Sequence, residues 1–241
     1  MSVAGIVIAQ YGQVELTLRC LGTLRQFHPA IPIVIVDDGS PSSVDRRPLQ
    51  LIADRHTTLL ALPQRHGVTY AWNRGARWFQ RNHAVQTLIF LNNDTITHGP
   101  WVEPLIEPLL ESSALLSGAA WRAERRLPAI IHDLGRSHIL AGWCLAIRTE
   151  TFAILNEFDK RLRLYFSDTD LQCRLLLTSR DTTTPALALV SELPLEHTGH
   201  QSTSLLPDRR ELWARDFDVF QRKWSARTTA SQHATTAPTG S

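Results

Sequence analysis

Short apolar runs that break off into polar corners constrain this chain more than any other feature of its sequence. Residues 3–8, 31–36 and 87–91 are continuous and rich in Val, Ile and Leu, and residues 58–62 form a fourth, weaker run. Continuous rather than alternating hydrophobicity marks strands buried on both faces, as in a parallel sheet with helices above and below. Between the first two runs Val14, Leu18, Leu21, Leu24 and Phe27 recur at helical spacing, and Pro29 stops the pattern. Before the last run, the spacing predicts a helix over 67–81 with Tyr70, Trp78 and Phe79 on or near its buried side. Strand–helix–strand units of this kind build an open α/β sheet, which places ligands outside the carboxyl ends of its strands. The regularity weakens after Pro100, which predicts a mixed sheet beyond it. One domain over 1–224 is expected, divided near residue 98. A disordered tail over 225–241 is expected because that stretch is Thr, Ala and Ser with little apolar bulk.

Two of the strand ends are acidic. The run over 31–36 ends on Asp37-Asp38-Gly39-Ser40 and the run over 87–91 on Asn92-Asn93-Asp94-Thr95. Either end alone reads as turn chemistry, and Asp37 reads best that way, fixing the turn with Gly39 and Ser40. Two such ends in one sheet suggest a shared pocket. Further on, Asp168 and Asp170 precede the helical pattern LQCRLLL, where one can cap the helix while the other projects. Several pockets are excluded. No G-x-G-x-x-G follows the first run, and neither a G-x-x-x-x-G-K-[ST] nor a G-x-S-x-G segment occurs. Any phosphate must then be held by a metal and acidic side chains.

A formal net charge of +2 gives no argument for a nucleic-acid partner, so the basic clusters at 122–126 and 209–210 read as solvated faces or anion contacts. Cys20, Cys144 and Cys173 lie far apart in apolar stretches and read as buried free thiols in a reducing cytoplasm. The amino terminus has neither a membrane-length run nor a signal-like start. Trp213, Phe217, Phe220 and Trp224 share one helical face, which reads as packed on the domain. Its arginine neighbours leave a peripheral membrane contact, at an inner membrane face, open.

Taken in order, VIVDDGS, GVTYAWNRGA, FLNNDT, AGWCLAIRTETF, EFDKRL and YFSDTDLQCRL resemble the segments of family-2 inverting glycosyltransferases of the GT-A fold, over residues 3–203. The LNNDT form resembles rhamnosyltransferase-like members. The resemblance implies a nucleotide-binding half over 1–98 and an acceptor-side half over 99–224. It implies donor contacts from Tyr11, Asp38, Asn73 and Asn93, and a Mn²⁺ or Mg²⁺ ion held by Asp94 and by His197 or its neighbour His200. It implies Asp168 as general base, with Asp170 orienting the acceptor. Trp143 could stack on a sugar ring or sit in the core. The chain departs from the family pattern at Asn92, where Asp is usual, at Trp72, where Arg is common, and at Ser167, where Glu is usual.

The implied activity is metal-dependent transfer of a sugar from a nucleoside-diphosphate donor, dTDP-rhamnose or a UDP-hexose, to a glycan, lipid-linked or other hydroxyl acceptor in polysaccharide synthesis. Two other readings stay open. A sugar nucleotidyltransferase would need a Gly-rich basic loop after the first strand, where this chain has AQYGQVE. A non-catalytic nucleotide- or glycan-binding module of the same fold would account for Ser167 and the sparse carboxylates.

Overall fold

The computed structural model describes residues 3–179, 185–199 and 206–235. Its centre is β1 (Ala4–Gln10), flanked in parallel by β2 (Ile33–Asp37) and β4 (Thr87–Asn92), with β3 (Thr57–Ala61) outside β2. The helices between them are α1 (Val14–Phe27), α2 (Arg47–Leu51) and α3 (Val68–Asn82). Beyond β4 come the short β5 (Thr95–Thr97), α4 (Val102–Leu110), β6 (Leu116–Gly118), β7 (Trp121–Ala123), α5 (Ala129–His132), β8 (His138–Leu140) and β9 (Cys144–Arg148). The chain closes with α6 (Thr149–Ile154), α7 (Ser167–Ser179), β10 (Leu187–Leu189), β11 (Leu195–His197) and α8 (Arg209–Thr235). The main sheet has seven strands in the order β10-β6-β9-β4-β1-β2-β3, and β9 runs antiparallel to both neighbours, so the sheet is mixed.

Alternation within the apolar strands explains the two layers. Ile6, Ile8, Ile33, Ile35, Ile89 and Leu91 pack on one face with Cys20, Leu21 and Leu24 of α1 and Trp101, Leu105 and Leu109 around α4. Val7, Val34, Val36, Leu88 and Phe90 fill the other with Ala76 and Phe79 of α3 and the buried residues of α7 and α8. Gly75 lets α3 lie directly on the sheet, since a Cβ there would come within 2.3 Å of Val7 Cγ1. The buried face of α1 uses Val14, Thr17, Cys20, Leu21 and Leu24, while Phe27 ends half-exposed at the last turn.

The expected tail starts inside α8, which runs on to Thr235. Residues 225–235 contain neither Pro nor Gly, and a helix already nucleated by packed residues extends at small cost. The aromatic stripe of α8 faces inward: Phe220 and Trp224 are buried, and Trp213 and Phe217 pack against the same core. That face is spent on the protein's own core rather than on a lipid surface. Among the described residues no helix is long and apolar enough to cross a membrane.

Candidate active site

The registers align the carboxyl ends of β1, β2 and β4, with Gln10 beside Asp37 and Ala9 beside Asn92. A cavity of about 520 Å³ opens there, and Tyr11, Asp38, Asn93, Asp94, Trp143, Asp168 and His197 all line it. Residues from both halves of the sequence thus meet at one point, where strand order reverses about β1.

The two aspartates ending β2 divide the work. Asp37 is fully buried and belongs to the turn: it accepts from Gln10 Nε2 at 3.0 Å, from the Ser40 hydroxyl and from Arg46 Nη1 at 3.1 Å. Asp38 reaches the cavity, and its oxygens accept the amides of His66 (2.8 Å) and Gly67 (2.7 Å). Burial pushes its carboxyl above the ordinary range, against the pull of those two amides. Gly67 is required here: its φ is +108°, and a Cβ would sit 2.3 Å from the Arg163 carbonyl oxygen. Across the pocket mouth the Arg65 guanidinium lies 4.8 Å from the centre of the Tyr11 ring and donates to both oxygens of Asp208 at 3.1 Å.

The turn after β4 presents Asn93 and Asp94, both buried. Asn93 Nδ2 donates to Thr17 on α1 at 3.0 Å, which anchors the turn. Antiparallel pairing of β5 with β11 sets His197 opposite Thr95 and so brings its Nε2 to 3.1 Å from Asp94 Oδ1. Trp143 stacks flat on the His197 ring, with centroids 5.0 Å apart and planes 5° apart, and fixes its direction. A carboxylate oxygen and an imidazole nitrogen 3.1 Å apart match the spacing of neighbouring ligands on a cation with bonds of about 2.1 Å, which is about 3 Å. The carboxylate suits either Mg²⁺ or Mn²⁺, and the imidazole nitrogen is accepted more readily by Mn²⁺. Among the described residues no three His, Cys, Asp or Glu side chains converge, and a cation on this pair would need its other positions filled by substrate phosphates and water. His200 lies outside the described residues.

On the other side, α7 starts at Ser167, and Asp168 in its first turn faces the cavity. Arg122 Nη2 donates to Asp168 Oδ2 and to Thr169 Oγ1, each at 3.0 Å. Arg122 itself lines the cavity from β7, as does the part-exposed Trp121 beside it.

Two expected site residues are corrected. Asn73 does not line the cavity: it clips the Phe158 backbone, donating to its carbonyl at 2.9 Å and accepting its amide at 3.1 Å. Asp170 is fully buried away from the cavity, accepting from Arg174 Nε (2.9 Å) and Trp224 Nε1 (3.0 Å) and paired with Lys223 at 2.7 Å. On a helix, residues two apart point about 200° apart, so when Asp168 faces the pocket Asp170 faces the core. Arg65 was not identified from sequence. Arg122 was visible there only as part of a basic cluster that could contact anions.

A search of curated proteins finds no match. Among solved structures, GalNAc-T7 with UDP, GalNAc and Mn²⁺ superposes with a TM-score of 0.60 at 16% identity, over 82% of this chain and 44% of that one. The mannosyltransferase PcManGT from Pyrobaculum calidifontis, in complex with GDP-Man and Mn²⁺, gives 0.56 at 16% identity over 99% of this chain and 76% of that one. TarS of S. aureus gives 0.55 at 12% identity over 78% and 35%. The chain therefore spans less than half the length of two of these three proteins, and the shared feature is the GT-A fold. The family model described as "Glycosyl transferase family 2" matches residues 5–175, from the first strand into the helix that carries Asp168, and the chain belongs to that family.

Proposed function

We propose that the protein transfers a sugar from a nucleoside-diphosphate donor to a hydroxyl acceptor with inversion at the anomeric carbon. The observation that carries this reading is the convergence of Asp38, the Asp94–His197 pair and Asp168 on one cavity. Tyr11 and Asp38 hold the base and Asn93 helps to shape the donor pocket. Asp94 and His197 would hold Mn²⁺ or Mg²⁺, which when bound supplies Lewis-acid charge to the departing diphosphate. Asp168 accepts the proton of the attacking hydroxyl, and the Arg122 contact fixes one of its oxygens. The Trp143 ring, already packed on His197, walls the sugar region. The related folds solved with UDP or GDP-Man and Mn²⁺ support this donor class. The resemblance of LNNDT favours dTDP-rhamnose as donor, a UDP-hexose stays open, and the acceptor is a glycan, lipid-linked or other hydroxyl.

Calorimetric titration with UDP, dTDP and GDP, each with and without Mn²⁺ or Mg²⁺, tests this reading. One nucleotide is expected to bind tightly only with metal, and Asp94→Ala to abolish that binding. Asp168→Asn should spare binding and remove turnover; full rate in that variant would sink the base assignment. A folded protein that binds none of the nucleotides would refute the transferase reading. Metal-dependent binding with no turnover of any donor, to acceptor or to water, would favour a non-catalytic module, the alternative that buried Ser167 in place of the usual Glu keeps in view.

A further inference from the structure

The family match ends at residue 175, yet α8, which lies wholly beyond it, holds the segment on either side of Asp168. Asp216 of α8 is fully buried, and its Oδ2 accepts two consecutive backbone amides, Leu164 at 2.7 Å and Tyr165 at 2.9 Å. The next residue, Phe166, has a φ of +64°, a left-handed conformation that a side chain rarely adopts without outside support. The support is aromatic and comes from the same helix: the Phe166 ring stacks on Phe220 at 5.3 Å and meets Phe217 at 5.5 Å and Trp213 at 5.7 Å. Past Asp168, the buried Asp170 is held by Trp224 and Lys223, and Lys223 also reaches Asp159 at 2.8 Å. Among the described residues Asp168 itself pairs with Arg122 on β7 and not with α8.

We propose that α8 is a brace that sets where Asp168 stands in the cavity, with Asp216 as its positioning residue. Two adjacent amides directed at one carboxylate oxygen define the turn into α7. Without that acceptor both part-buried amides lose their partner, and the turn can release the left-handed Phe166. The first turn of α7 then loses its fixed start, and a general base depends on placement to a fraction of an ångström. The aromatic stripe and the buried acid of α8 thereby gain one shared role. The consequence for turnover rests on the proposed function; the brace itself does not.

The test compares Asp216→Ala, Asp216→Asn and Phe217→Leu with the wild-type chain. Hydrogen exchange is read over residues 160–170, UDP binding is measured with Mn²⁺, and turnover is measured on UDP-, GDP- and dTDP-hexoses. In Asp216→Ala the amides of Leu164 and Tyr165 should exchange at least tenfold faster. Its UDP affinity should stay within twofold, and kcat should fall tenfold or more at unchanged donor KM. Asp216→Asn keeps an acceptor oxygen and should restore most of both. Phe217→Leu, at the half-buried rim, should speed exchange at Phe166 and lower kcat several-fold, and it decides the matter if Asp216→Ala does not fold. Unchanged exchange in both Asp216→Ala and Phe217→Leu would overturn the brace, as would a loss of UDP affinity in step with kcat. A wild-type protein that turns over no donor would count against the transferase reading, while exchange would still decide the brace.

Discussion

Gly142 offers a way to move the proposed base without touching it. A Cβ on Gly142 would lie 2.5 Å from Asp168 Oδ2, 2.8 Å from its Cγ and 3.0 Å from its Cβ. The carboxylate must retreat by about 0.9 Å to reach a van der Waals distance of about 3.4 Å. The backbone of Gly142 has no positive φ, so alanine is not strained there. Asp168 is short and can rotate, so Gly142→Ala should cost about 1 kcal/mol of stability, about 2–4 °C in Tm for a chain of this size. It should also break the 3.0 Å contact with Arg122. A misplacement of about 1 Å at a reacting group costs about 10²-fold in rate, or about 2.7 kcal/mol of transition-state stabilisation. The assay is the initial rate of donor consumption with saturating Mn²⁺ for wild type, Gly142→Ala, Asp168→Asn and the double variant. Gly142→Ala should lose about two orders of magnitude in kcat with nucleotide affinity intact. The double variant should be no slower than Asp168→Asn alone, because both changes remove the same group from its place. A Gly142→Ala enzyme at full rate, or a double variant slowed by the product of the two single effects, would refute the argument.

Other residues give equally direct expectations. Asn73→Ala orphans the buried amide and carbonyl of Phe158, so it should cost about 2–5 kcal/mol in urea unfolding while leaving nucleotide affinity unchanged in the folded fraction; a selective loss of affinity would return Asn73 to the donor site. Burial raises the Asp38 carboxyl above the ordinary range, so its charged form is lost at a higher pH than for a free aspartate. Nucleotide binding should therefore weaken as pH falls through that raised value, by up to about tenfold per unit; a wild-type profile as flat there as that of Asp38→Asn contradicts the assignment. Cys20, Cys144 and Cys173 are buried, and desolvation raises all three thiols, that of Cys20 to about 11 despite its Thr95 contact. A thiol reagent at pH 8 should label none of them in the native protein and all three after unfolding; rapid native labelling would show that one of these core regions opens.

What the sequence made legible follows from how local each signal is. The Ile6–Val7–Ile8 and Ile33–Val34–Ile35–Val36 stretches carry their own reading, because alternate residues must fill the two faces of one sheet. The acidic strand ends pointed to a pocket only as a pair, since either alone reads as turn chemistry, and Asp38 and Asp94 beyond them both line the cavity. Asn73 was not legible, because a motif gives a residue's identity but not its partner, and its partner is the backbone of a residue far along the chain. Asp170 lies two residues from Asp168, and with helix geometry beginning at Ser167 the second carboxylate turns towards Arg174, Lys223 and Trp224. Arg65 and Arg122 reach the cavity through tertiary pairing and had no local signature of their own beyond charge. The carboxylates therefore divide by company. Asp37, Asp170 and Asp216 are fully buried and serve turns, helices and a loop. Asp38, Asp94 and Asp168 open on the cavity, two of them at the ends of parallel strands and the third at the start of a helix, where a ligand can reach them. Position relative to those element ends, which only the assembled fold supplies, separates the acids that build this protein from those a ligand can reach.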